Sequence, residues 1–115
     1  MSAHDGGPPT VLVVEDVDWI RTGMLQTLRR HGYRVLAAAD DSGAAELLRR
    51  ERVALVLTEE QLPTFDALLA RVRELPASRR VPVAVVNPDA DDGTHYGDAV
   101  VLNDYDQLRG LLLRT

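Results

Sequence analysis

Five short apolar runs punctuate the chain, and polar or turn-forming stretches separate them. They are residues 10–14 (TVLVV), 33–38 (YRVLAA), 53–58 (VALVLT), 81–86 (VPVAVV) and 99–102 (AVVL). Short runs rich in valine and leucine, with no strict apolar–polar alternation, fit strands covered on both faces in a parallel sheet. Between the first two runs, Ile20, Met24, Leu25 and Leu28 recur at helical spacing, and Gly32 suits a left-handed C-terminal cap. Asp41 or Ser42 is expected to cap a second helix that turns Ala44, Ala45, Leu47 and Leu48 inward. Thr64 is expected to cap a third, with Leu68, Leu69, Val72 and Leu75 inward. A last helix over about residues 104–114 buries Leu108, Leu111 and Leu112, although Gly110 weakens it.

Strands alternating with helices predict an α/β domain: a five-stranded parallel sheet, doubly wound, with helices on both faces. One connection departs from the alternation. Residues 87–98 (NPDADDGTHYGD) have almost no apolar periodicity and contain two glycines, a proline and four aspartates. Twelve residues just meet the minimum for a parallel crossover, so a loop with at most one helical turn is expected in place of the fourth helix. Residues 1–9, with Gly6, Gly7, Pro8 and Pro9, read as a disordered lead-in to one domain over residues 10–115.

Composition narrows the function classes. At 115 residues the chain has room for one hydrophobic core. No apolar stretch is long enough to span a bilayer, and no apolar leader precedes the first run, so a cytoplasmic location is expected. The absence of cysteine removes disulfides, thiolate metal sites and cysteine nucleophiles. A net charge of -5 argues against direct nucleic acid binding. All 13 basic side chains are arginine, so any mechanism that needs a lysine of this chain is excluded.

In open parallel sheets the functional crevice lies at the carboxyl ends of the strands. The predicted strands deliver Glu15 and Asp16, then Thr58, Glu59 and Glu60, then Asn87, then Asn103 to that edge. Carboxylates gathered without a basic partner repel, so either one stays protonated or a hard divalent cation such as magnesium sits between them. The plainer alternative is that Glu60 points away, Asp16 or Asp18 caps the first helix, and the others are solvated. His4, His31 and His95 have no nucleophile at a recognisable spacing, and Thr58 and Thr64 read as strand-end and cap residues. An enzyme is therefore not expected. The paired arginines, such as Arg29 with Arg30 and Arg79 with Arg80, read as solubilising surface, and Tyr96 and Tyr105 as candidates for partner contact, with cover of the core edge the preferred reading of Tyr105.

The chain resembles the receiver domain of bacterial two-component response regulators, the CheY-like family, over nearly all of residues 10–113. VLVVED followed by VDWIR is similar to the family's first strand, acidic pair and first-helix start. HGYRVLAAADDSGAAELLRR is similar to its second strand and helix, and VALVLTEEQLP to its third strand, phosphorylation site and following proline. Asp16 to Glu59 is 43 residues, Glu59 to Pro63 is 4 and Glu59 to Asn87 is 28, as in the family. The resemblance implies a flavodoxin-like fold and a magnesium site formed by Glu15, Asp16, Glu59 and the Gln61 backbone carbonyl. It places the phosphoacceptor at Glu59, the phosphoryl-binding hydroxyl at Asn87, the phosphoryl-binding lysine at Asn103, and the aromatic switch at Val100 or Val101.

Most of those positions are altered. Glu59 is longer than aspartate by one methylene, about 1.5 Å, which displaces the carboxylate in a geometry that tolerates little error. Asn103 brings no charge to neutralise a phosphoryl group, and valine has no ring to flip. The stretch from Asn87 to Asn103 is also shorter than the family's. The expected function is thus an atypical receiver acting on a protein partner or output domain, as a possible homodimer, largely independently of phosphorylation and with magnesium bound weakly or not at all. The alternative is a ligand- or metal-binding pseudo-receiver, in which Trp19 would report on ligands by fluorescence. A conventionally phosphorylated receiver ranks last.

Overall fold

The computed structural model describes residues 7–112. Its strands are β1 (Thr10–Val14), β2 (Arg34–Ala38), β3 (Leu55–Glu59), β4 (Val83–Val86) and β5 (Val100–Leu102). Its α-helices are α1 (Asp18–Arg30), α2 (Asp41–Arg50), α3 (Phe65–Arg73) and α4 (Gln107–Leu112), and Ala77–Arg79 form a 3-10 turn. The strands form a single sheet in the order β2-β1-β3-β4-β5, parallel at every pairing. The expected doubly wound architecture is present, with a lone departure in the connection from β4 to β5.

Side chains on successive strand residues point to opposite faces, so the central strands feed two cores. Leu12, Val14, Val56 and Val83 face one layer, where α2 and α3 bring Ala44, Leu48, Leu68, Leu69 and Val72. Val11, Val13, Leu55, Leu57, Ala84, Val86 and Leu102 face the other, closed by Met24 and Leu28 of α1 and Leu108 of α4. Both faces of β1 and β3 are buried, which explains why their sequences show no alternation. Burying each such leucine or valine stabilises the fold by about 1.5–3 kcal/mol.

Several local expectations are corrected. The cap of α2 is Asp40, whose Oδ1 accepts from Gly43 N at 2.8 Å; Asp41 and Ser42 lie inside the helix. Asp41 instead takes the Arg71 guanidinium at 2.6 Å, tying α2 to α3, and this bond holds its carboxyl below the usual carboxylate range. Thr64 stands at the cap position of α3, but its hydroxyl makes no cap bond and is buried without a partner. Leu75 falls beyond the end of α3, though it still packs on the core. Gly32 does adopt the left-handed conformation, with φ +92°, after α1.

Helix α4 is shorter than predicted because Asn103 and Asp104 are spent on its entry. Asp104 Oδ1 accepts from Gln107 N at 3.2 Å, and Gln107 Oε1 accepts from Asn103 N at 2.6 Å. Residues 113 and 114 of the expected helix lie outside the described residues, as do residues 1–6 of the lead-in. Pro9, the last residue of that lead-in, accepts from Arg34 N at its carbonyl and so joins the start of β2.

Among the described residues no helix stands between β4 and β5: residues 87–99 run as successive turns. No described helix is long and apolar enough to cross a membrane.

Candidate functional site

The sheet register brings the expected residues to one edge. Val14 pairs with Thr58 and Glu59 with Val86, so Glu15 follows β1 beside the end of β3. Glu59 lies two residues beyond Leu57, which puts it on the α1 and α4 side of the sheet. Glu15, Asp16, Val17, Ile20, Glu59, Glu60 and Gln61 line one cleft of about 410 Å³ there. Glu59 also reaches a neighbouring slot of about 340 Å³ beside α1, lined with Trp19, Ile20, Gly23, Met24, Thr27 and Tyr105, the last from the segment that leads into α4.

The charges in this edge are poorly compensated. Glu15 is 4% exposed, and its Oε2 accepts from Val17 N at 2.9 Å. Burial nevertheless pushes its carboxyl above the ordinary value, with Asp16 and Glu59 adding to the rise. Glu59 is raised too, by burial and then by the charge of Glu60. Tyr105 is pushed up to about 12 by burial and by the fields of Glu59 and Glu15. Arg21 stands nearby but donates to Asp18 at 2.6 Å and to the Glu15 backbone carbonyl at 2.8 Å, leaving the carboxylates of Glu15 and Glu59 without its charge. Thr58 is fully buried at the end of β3, with its hydroxyl unpartnered.

The other half of the edge is built differently. Asn87 is buried at 6% exposure; its Nδ2 donates to the Tyr96 hydroxyl at 2.8 Å and its Oδ1 accepts from Asp89 N at 2.9 Å. Asn103 donates from Nδ2 to the carbonyls of Asn87 and Ala90, at 3.3 and 3.1 Å. Both amides are therefore committed to holding the connection 87–99 against the sheet. Tyr96 completes the fastening with its ring edge-on to Phe65 of α3, 6.1 Å between centroids. Gly97 has φ +61° and passes so close to Leu69 that a Cβ there would lie 2.9 Å from its Cδ1. Arg73 of α3 holds Asp98 at 2.8 Å.

Tyr96, expected as a partner contact, is thus an internal tie. Its role escaped sequence reasoning because a lone tyrosine in a polar loop carries no periodicity. Tyr105 is half-buried against the α1 and α4 core, as its cover role required. Val100 is 37% exposed on the edge strand, Val101 is half-buried, and Leu102 is the β5 residue that fills the core.

Hard carboxylate and carbonyl oxygens suit magnesium chemically. Among the described residues, however, no three His, Cys, Asp or Glu side chains are grouped closely enough to hold a metal ion. Glu15, Asp16 and Glu59 share a cleft without forming a ready-made ligand set.

The family model for the response regulator receiver domain matches residues 11–103. The chain belongs to that family. Transcriptional regulatory protein AfsQ1 of Streptomyces coelicolor is 32% identical over 84 residues, covering 73% of this chain and 37% of that protein. Two-component response regulator ORR11 of Oryza sativa is 31% identical over 87 residues, covering 73% of this chain and 59% of that protein. The chain thus spans less than two thirds of the length of each of these curated relatives. Among solved structures, the receiver domain of sensor histidine kinase PA1611 from Pseudomonas aeruginosa, with a magnesium ion coordinated in its active site cleft, superposes with a TM-score of 0.73 at 26% identity. The match covers 94% of this chain and 97% of that one. A receiver from Methylobacillus flagellatus gives the same TM-score at 18% identity, a likeness of fold. The chain is accordingly a response-regulator receiver domain of two-component signalling, a signalling module by family.

Proposed function

We propose that this receiver signals through protein contact in a single fixed conformation, without phosphoryl transfer to Glu59. The observation that carries this reading is the commitment of Asn87 and Asn103. The two side chains at the phosphoryl-binding positions spend their amides on Tyr96, Asp89 and the carbonyls of Asn87 and Ala90. Freeing them would unfasten the connection between β4 and β5. Three further features support it: the chain has no lysine, Glu59 is one methylene too long, and the switch positions Val100 and Val101 carry no ring.

The target is a protein partner or an output domain, the arrangement implied by relatives named as transcriptional regulators. Nucleic acid contact is assigned to such a partner and not to this acidic chain, and the site of action is the cytoplasm. Should magnesium bind, Glu15, Asp16, Glu59 and the Gln61 carbonyl are the residues to hold it, and its charge would offset the burial and mutual repulsion that raise Glu15 and Glu59. The ion would first have to draw those ligands together, so weak binding is expected.

The test is to incubate the purified chain with acetyl phosphate and magnesium and weigh it by intact-mass spectrometry. No mass change is expected. A gain of one phosphoryl group mapped to Glu59 would overturn the proposal. A second reading, a pseudo-receiver that senses a metal or metabolite, is favoured by the cleft of about 410 Å³ beside Glu59. A saturable change in Trp19 fluorescence with magnesium, calcium or a metabolite panel would support that reading.

A further inference from the structure

Helix α1 carries two features that the fold does not use. Trp19 is 77% exposed, and together with Val100 it is one of the two exposed large hydrophobic residues among those described. One turn later stands Gly23, in the helix interior, where a glycine costs about 1 kcal/mol relative to alanine. No close approach requires it: a Cβ built on Gly23 would meet nothing within 4 Å, and its φ is not positive. The missing side chain leaves a gap on the stripe Trp19, Gly23, Thr27, which lies at i, i+4 spacing beside the buried stripe of Ile20, Met24 and Leu28. That gap lies in the slot of about 340 Å³ whose lining also includes Tyr105 and Glu59.

The lining is a cation's environment. Trp19 and Tyr105 bring aromatic side chains to the lining and Met24 a soft apolar one, while Glu59 brings a carboxylate. The adjoining cleft adds Glu15, Asp16 and Glu60, and Asp104 and Asp106 flank Tyr105 in sequence. Arg21 is the nearest basic residue along the chain and is already engaged by Asp18 and the Glu15 carbonyl. A compact hydrated metal ion gains nothing from the aromatic part of the slot. A long basic side chain matches both parts, because its aliphatic stem packs on apolar surface while its head stays charged.

We propose that this slot on α1 receives an arginine or lysine side chain from a partner protein, with its stem between Trp19 and Tyr105 and its charged end at Glu59. The inference deepens the proposed function by naming the partner's chemistry, and it needs Glu59 to remain a free carboxylate. The partner would thereby place in trans, beside Glu59, the kind of charge that this chain lacks in cis. Exposed Trp19 becomes the aromatic anchor at the centre of the contact.

The probe is a short amphipathic helical peptide bearing one arginine between leucines, titrated into the full chain while the emission of Trp19, the sole tryptophan, is followed. A twin peptide with glutamate in place of the arginine is the control. The arginine peptide is expected to give a saturable change, and its twin to bind at least about tenfold more weakly. Gly23→Leu fills the slot and Glu59→Gln removes its charge; each should weaken the peptide about tenfold while circular dichroism stays that of the wild type. Three outcomes overturn the proposal: no saturable change at millimolar peptide, equal binding of the twin, or wild-type affinity in Gly23→Leu. A concentration-dependent dimer that Gly23→Leu dissolves would also overturn it, by assigning the slot to a second copy. The titration contains no phosphodonor, so phosphorylation of Glu59 in the separate mass assay would sink the proposed function without altering this result.

Discussion

Glu59 carries its charge in a place that resists it. Burial and the neighbouring Glu60 raise its pKa above the ordinary 4.5, so the folded state holds this proton more tightly than the unfolded chain does. Where the folded state binds more protons, stability falls as pH rises. The loss begins near the unfolded value and is complete above the raised folded one, so holding Glu59 in this place weakens the fold at pH values above 4.5. Glu59→Gln is therefore expected to melt higher than the wild type at pH 7, with the advantage disappearing below pH 4.5. Thermal denaturation at a series of pH values checks this; an equal difference at all pH values would point to altered packing instead. Asp41 has the opposite sign. Its pKa is lowered by the bond from Arg71, so its contribution is present above 3.8 and fades as pH falls through the depressed value.

At the scale of elements, the connection between β4 and β5 shows how a missing helix is replaced. A crossover helix satisfies its own backbone and covers the sheet; residues 87–99 lack the apolar periodicity for either task, so side chains take them over. Asn87 and Asn103 bond the loop's backbone and its tyrosine, Tyr96 caps Phe65, and Arg73 grips Asp98. Tyr96→Phe keeps the ring but removes the acceptor for a buried amide, at a cost of about 1–3 kcal/mol. Chemical denaturation is expected to show that loss, and hydrogen exchange to show faster opening confined to residues 87–99. Unchanged exchange there would mean that Asn87 finds another partner and that the tie is dispensable.

For the whole molecule, the two cores stand or fall together because every central strand serves both. The core under α1 and α4 is closed at one end by a helix of only six residues, and Leu108 is its one fully buried member. Leu108→Ala should cost about 2–5 kcal/mol and destabilise the chain in one cooperative transition, seen as coincident far-ultraviolet and Trp19 signals in urea. Two separated transitions would show that α4 folds apart from the sheet.

The sequence by itself determined the strand and helix order, the parallel sheet and the lack of a helix before β5, because strands buried on both faces read as continuous apolar runs, helices mark their spacing along the chain, and residues 87–99 show neither. It also placed Glu15, Asp16 and Glu59 at one edge, since strand ends in a parallel sheet converge whatever the side chains are. Boundaries and caps were less legible: Asp40, Asp41 and Ser42 are all good cap formers, and only the path into α2 selected Asp40. What tertiary structure alone decided was the use of Asn87, Asn103 and Tyr96. Their bonds cross 9 to 16 residues of an aperiodic loop, and no local pattern encodes which amide meets which oxygen. The slot at Gly23 is of the same kind, since a glycine in a helix is only a weak spot until Trp19, Tyr105 and Glu59 are seen around it.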